Sequence, residues 1–156
     1  MFLLEPILTI AYEKLAHDPA DVVPKVKERF FQLLEKNRIR VVSNLTRQEI
    51  EASLRTFGKG GDGAAELTSV FSTACEGIDP ATIYGKWDDE VERVLSEKDY
   101  VAGLRLYKIK GLPAEAGSAF GLRYQDQVMR WLRGKEAEAF ITVLREVIPN
   151  IPQRAE

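Results

Sequence analysis

Arg38-Ile39-Arg40-Val41-Val42, followed within a few residues by Leu45-Thr46-Arg47-Gln48-Glu49-Ile50, is the stretch on which the fold class turns. The first five positions are charged and β-branched by turns, which is the pattern of a short strand. A strand needs a partner for its backbone groups, and no second strand pattern stands out in the chain. The expectation is therefore an extended connector within an all-α protein. Directly downstream, Thr46-Arg47-Gln48-Glu49 reads as a capping box, with Leu45 and Ile50 at the hydrophobic-staple positions. A helix is expected to start there, to turn Ile50, Leu54 and Phe57 inward, and to end on Gly58.

Outward from this stretch the periodicity is helical in both directions. Pro6 suits a first helical turn, and Ile7, Leu8, Ala11 and Leu15 continue one face. Asp18-Pro19 reads as the stop, since the residue before a proline is pushed out of the α region. A second helix is expected from about Pro24 to Asn37 on the stripe Val26, Phe30, Leu33, Leu34 and Asn37. On the other side, Gly58-Lys59-Gly60-Gly61-Asp62-Gly63 reads as a hinge and the candidate subdomain boundary. Residues 64–75 follow as a short helix with Leu67, Val70, Phe71 and Ala74 on one side. Asp79-Pro80 is an N-cap with proline at the first helical position. Trp87, Val91, Val94 and Leu95 extend a stripe to Ser96, the expected cap for Val101, Leu104 and Tyr107. Pro113–Phe120 is expected to be a short helix closed by Gly121. Two more are expected over 124–132 and on the stripe Ala137, Phe140, Ile141, Leu144, Val147 and Ile148, with Pro149 and Pro152 beyond. The expected architecture is a compact bundle of about seven or eight short helices. It forms a single domain over residues 1–156, with the boundary, if any, at 58–63.

Composition bounds the function. The 156 residues allow a core without disulfides or metals. A formal charge of −2 excludes a strongly basic nucleic-acid binder. Cys75 is the sole cysteine, so an internal disulfide is excluded and a reducing, cytoplasmic setting is expected. The apolar runs are too short for a membrane span, and Met1-Phe2-Leu3-Leu4-Glu5-Pro6 has no basic leader region.

Candidate chemistry is thin. The glycine cluster lacks the Ser or Thr that a phosphate loop places after its lysine, as do Gly85-Lys86-Trp87 and Gly134-Lys135-Glu136. Asp88-Asp89-Glu90 with Glu92 is the densest carboxylate group and a conceivable magnesium site. Consecutive helical residues diverge by about 100°, so these acids read instead as a helix N-terminus favoured by its dipole. His17 reads as a cation at a helix end. Cys75 reads as a buried thiol on the stripe near Phe71. One histidine and one cysteine supply no zinc set. No catalytic residue, cofactor site or metal site is expected.

Charge placement says more. Residues 76–97 carry seven acids and two bases, and residues 98–145 carry nine bases and five acids. The basic set Arg105, Lys108, Lys110, Arg123, Arg130, Arg133 and Lys135 is interleaved with Tyr107, Tyr124 and Trp131. Cations for phosphates and aromatics for bases suit nucleic acid. Arginines with aromatics suit a protein interface equally.

Phe2-Leu3-Leu4-Glu5-Pro6, and Arg133-Gly134-Lys135-Glu136-Ala137 leading into the last stripe, resemble the helical C-terminal part of the TOPRIM-type nucleases coupled to ABC-like ATPases, the overcoming-lysogenization-defect family. The resemblance covers the first residues and the last third. The family's acidic metal-binding and Walker motifs are absent, so no catalytic residue carries over, and only Lys135 is carried as a contact. It implies an accessory helical part. The expectation is a non-enzymatic helical protein-interaction module, an accessory subunit or a homo-oligomer, with no membrane role. The alternative is a helical nucleic-acid-associated module of a phage-defence-type nuclease system, using the basic face of residues 105–135.

Overall fold

The computed structural model describes residues 5–57, 64–106, 116, 118–121, 137–138 and 141–142. Every regular element among them is helical: α1 (Glu5–Lys14), α2 (Pro19–Lys36), α3 (Arg38–Phe57), α4 (Ala64–Glu76), α5 (Pro80–Glu97) and α6 (Tyr100–Leu106). The all-α expectation holds, with six helices described. The glycine-rich 58–63 stretch and the expected helix over 124–132 lie outside the described residues. Ala137, Glu138, Ile141 and Thr142 are helical, and of these Ala137 and Ile141 belong to the stripe expected there. The chain divides into two compact units, Met1–Leu33 with Ile109–Glu156, and Leu34–Lys108.

In the first unit, α1 buries Ile7, Leu8, Ala11 and Tyr12, a face spaced at i, i+1, i+4 and i+5. Burial holds the Tyr12 hydroxyl protonated, raising its pKa to about 12. The helix stops before Asp18-Pro19. Ala16 enters the left-handed region at φ 58°, and its N–H and that of His17 close back onto the Glu13 and Tyr12 carbonyls, both at 3.0 Å. Asp18-Pro19 then acts as a start. The Asp18 carboxylate accepts from the Ala20 N–H at 2.9 Å, and Pro19 takes the first helical position, where a missing N–H costs nothing. Pro24 therefore lies inside α2 rather than at its beginning. With no N–H, it leaves the Ala20 carbonyl without the usual helical donor. Val23, Val26, Phe30, Phe31 and Leu33 are buried, and the two phenylalanine rings meet edge to face at 5.6 Å. Lys27 ties α2 to Glu5 at the start of α1.

The second unit corrects the reading of residues 38–50. Residues 38–42 are not an extended connector and Thr46 is not a helix start; residues 38–50 are the first thirteen residues of α3, entered straight after the turn at Asn37. Val41, Val42 and Leu45 are buried on one helical face, and the Val41 N–H reaches the Asn37 carbonyl at 3.0 Å. A β-branched residue gives up at most about 0.7 kcal/mol in a helix, whereas burying a valine returns about 1.5–3 kcal/mol. Packing therefore overrides the local preference. Thr46 is not a cap: it is buried in mid-helix and its hydroxyl donates to the Val42 carbonyl at 2.8 Å. The capping box and staple do not form.

α5 begins as expected. Asp79 is extended, accepts from the Ala81 N–H at 3.0 Å, and is followed by Pro80. Lys98 closes the helix in the left-handed region, φ 53°. The cap of α6 is Asp99 rather than Ser96, because Asp99 Oδ1 accepts from the Ala102 N–H at 3.0 Å. Ser96 lies within α5 and donates to the Arg93 carbonyl. α3 packs along α5 and α4, and α6 packs on α5, with Val91, Val94, Tyr100 and Leu106 buried. On α4 the expected inward face is corrected at two positions. Phe71 is 60% exposed and the Cys75 thiol is exposed rather than buried. Among the described residues no helix is long and apolar enough to cross a membrane.

Candidate functional site

α3 and α5 carry the densest set of polar side chains in the unit Leu34–Lys108. Asp88 and Glu92 stand one turn apart on α5, so both carboxylates face the same way. The Arg38 guanidinium lies between them, with Nε to Asp88 Oδ1 at 2.7 Å and Nη1 on Glu92. The hydrogen bond from Arg38 holds the Asp88 carboxyl below its ordinary pKa, against a smaller opposing effect of desolvation. The hydrogen bond to Asp88 correspondingly raises the Arg38 pKa.

Further along, Lys86 Nζ donates to both oxygens of Glu49, at 2.8 and 3.0 Å, while sitting 5.0 Å from the centre of the Trp87 ring. The Trp87 indole N–H is buried without a hydrogen bond of ordinary geometry. It still lies near enough to Glu49 to assist Lys86, the larger influence, in lowering that carboxyl. On the remaining face of α5, Arg93 binds Glu90 through Nε at 3.0 Å and Nη2 at 2.8 Å, and also engages Glu97. These contacts lower the Glu90 carboxyl and raise Arg93.

Asp88, Glu90 and Glu92 of the acidic run are thereby accounted for, and the run's reading as a helix N-terminus is corrected. α5 starts at Pro80, so Asp88 lies more than two turns in and is held by an arginine, beyond the reach of the dipole of the first turn. Asp88 and Glu90 diverge as helical geometry requires, one to Arg38 and the other to Arg93. Among the described residues, no group of three His, Cys, Asp or Glu side chains is arranged to hold a metal ion.

Of the expected contact residues, Arg105 is exposed on α6, one turn beyond Val101, which is 50% exposed. Lys108, Lys110, Arg123, Arg130, Arg133 and Lys135 lie outside the described residues. His17 is exposed, its ring edge-on to Tyr12 at 6.1 Å. A second polar surface had no counterpart in the sequence reading. Lys36, Arg40 and Arg47 are exposed and make no hydrogen bond or ion pair among the described residues, and Ile39, adjacent to Arg40 in α3, is 74% exposed. Reading 38–42 as extended concealed this surface, because it placed Arg40 and Arg47 in different elements. A scan against protein-family models and searches of curated proteins and of solved structures found no match to this chain.

Proposed function

We propose that this chain is a non-enzymatic helical protein-interaction module, acting as an accessory subunit or by self-association. The observation that supports it is the exposed Ile39 beside Arg40, which with Lys36 and Arg47 makes no ion pair among the described residues, while most acids of α5 are held within their own unit. Arginine beside an apolar anchor is the residue mixture of interface hot spots. Asp79, Asp88, Glu90, Glu92 and Glu97 are each engaged within their own unit, so the acidic run has little charge left to offer a partner. The test is the mass of the purified protein by light scattering after gel filtration, at low and moderate salt. A dimer or larger assembly that persists as salt rises supports self-association.

The second reading is the nucleic-acid-associated module, favoured by the exposure of Arg105 at the start of the basic set. It calls for DNA or RNA binding that weakens steeply with salt, since each neutralised phosphate releases counterions. Affinity unchanged between low and moderate salt removes it.

A further inference from the structure

We infer that the outer face of α3 and the adjoining α2–α3 corner form a docking surface for an acidic protein segment carrying an apolar side chain. This inference rests on the interaction-module reading and adds to it the surface and the chemistry of the partner. Seven residues separate Arg40 from Arg47, which returns them to within about 20° of each other around the helix and about 10 Å apart along it. Arg38 lies on roughly the opposite side, turned onto Asp88 and Glu92. The neutralised face and the unpaired cations of α3 thus point in different directions. Glu51, one turn beyond Arg47, lies within ion-pair reach of Arg55 instead, at 3.8 Å.

At the corner, Lys36, Asn37 and Ile39 are among the residues that line a shallow groove. The groove is lined by one acid, Glu35, and by Lys36, Arg38 and Arg40, of which Arg38 is already held by Asp88 and Glu92. Guanidinium groups pair with carboxylates in a planar two-point fashion, which favours an acidic partner. Ile39 decides between protein and nucleic acid. A phosphate backbone gives a 74%-exposed aliphatic side chain nothing apolar to cover it, whereas an amphipathic acidic helix brings both groups at once.

The probe is a synthetic amphipathic peptide rich in Glu and Leu, fluorescently labelled and titrated with the full chain at low salt. Saturable binding is expected. Arg40→Glu with Arg47→Glu is expected to weaken it by at least tenfold, about 1.4 kcal/mol, as is Ile39→Asp, while Arg105→Glu leaves it unchanged. All four side chains are exposed, so circular dichroism and melting temperature are expected to match the parent. Peptide binding that is absent, or unmoved by the double charge reversal, overturns the assignment. So does a DNA duplex that binds more tightly and is lost in the same variant. If the peptide fails while light scattering shows an assembly, the surface assignment falls and the interaction reading stands. If the protein is also monomeric and its only ligand is DNA, both fall.

Discussion

Arg38, the first residue of α3, donates to Asp88 on α5 across fifty residues of sequence, with Nε 2.7 Å from Oδ1. Both side chains are about one-third exposed, so water and salt screen the pair. A double-mutant cycle on Arg38→Ala and Asp88→Ala is expected to show a small favourable coupling at low salt that fades as salt approaches molar strength. Arg38→Ala is expected to lower the melting temperature more than Asp88→Ala, because it leaves Asp88 and Glu92 facing each other without a cation. The reverse order would place the stabilising contact elsewhere.

Acid weakens the fold in a defined window. Glu49, Asp79, Asp88 and Glu90 all have lowered folded-state pKa values, through Lys86, Thr82, Arg38 and Arg93 respectively as the largest influences. A depressed carboxyl contributes stability that is present above its unfolded pKa and lost as pH falls through the folded one. Melting temperature is therefore expected to be flat near neutrality and to drop below roughly pH 4, the unfolded carboxyl range. Tyr12 acts at the other end. Its raised pKa contributes stability that is present below about pH 10 and lost as pH rises towards about 12. Tyr12→Phe is expected to flatten the alkaline limb in a melting series, and an unchanged limb would count against the burial of that hydroxyl.

Gly85 lies inside α5, and a β-carbon placed there meets nothing within 4 Å. Gly85→Ala is expected to stabilise by about 1 kcal/mol through backbone entropy alone. For a chain of this size that is a rise of roughly 2–4 °C in melting temperature by calorimetry. Gly121 is the opposite case, since its φ of 82° penalises any L side chain. Gly121→Ala is expected to lower the melting temperature.

Thr46 and Asp18 separate the observed helix starts from the expected one. Thr46→Val keeps the volume and removes only a hydroxyl that donates to a carbonyl of its own helix, so the effect on urea unfolding is expected to be neutral or slightly stabilising. A capping threonine would lose about 0.5–2 kcal/mol on the same kind of change. Asp18→Ala is expected to show that loss, about 1 kcal/mol, because it removes the acceptor for the Ala20 N–H.

Asp79-Pro80 was legible in the sequence because a cap acts over three residues and needs no distant partner. The helical stripes of α1 and α2 were legible for the same reason, as periodicity is local. Thr46-Arg47-Gln48-Glu49 has the same local signature and failed, since the buried face of Val41, Val42 and Leu45 carries α3 through it. Nothing within five residues of Thr46 distinguishes a cap from a mid-helix threonine; only the packing does. Asp88-Asp89-Glu90 with Glu92 was visible as a carboxylate cluster, but Arg38 as the partner of Asp88 and Glu92, and Glu49 as the partner of Lys86, were not, because no local rule links α3 to α5. Phe71 and Cys75 were assigned to a core face on helical spacing alone, and spacing does not say which side of a helix is covered.

The half-buried indole of Trp87, with its N–H out of reach of solvent, gives this chain an internal optical reporter. It shares its neighbourhood with the Lys86 ammonium and the Glu49 carboxylate, one helix contributing the ring and the other the anion. Trp131 is the other of the two tryptophans. With Trp131 replaced by phenylalanine, fluorescence follows one ring alone, and a shift in its emission marks the parting of α5 from α3 before any global loss of helix is visible.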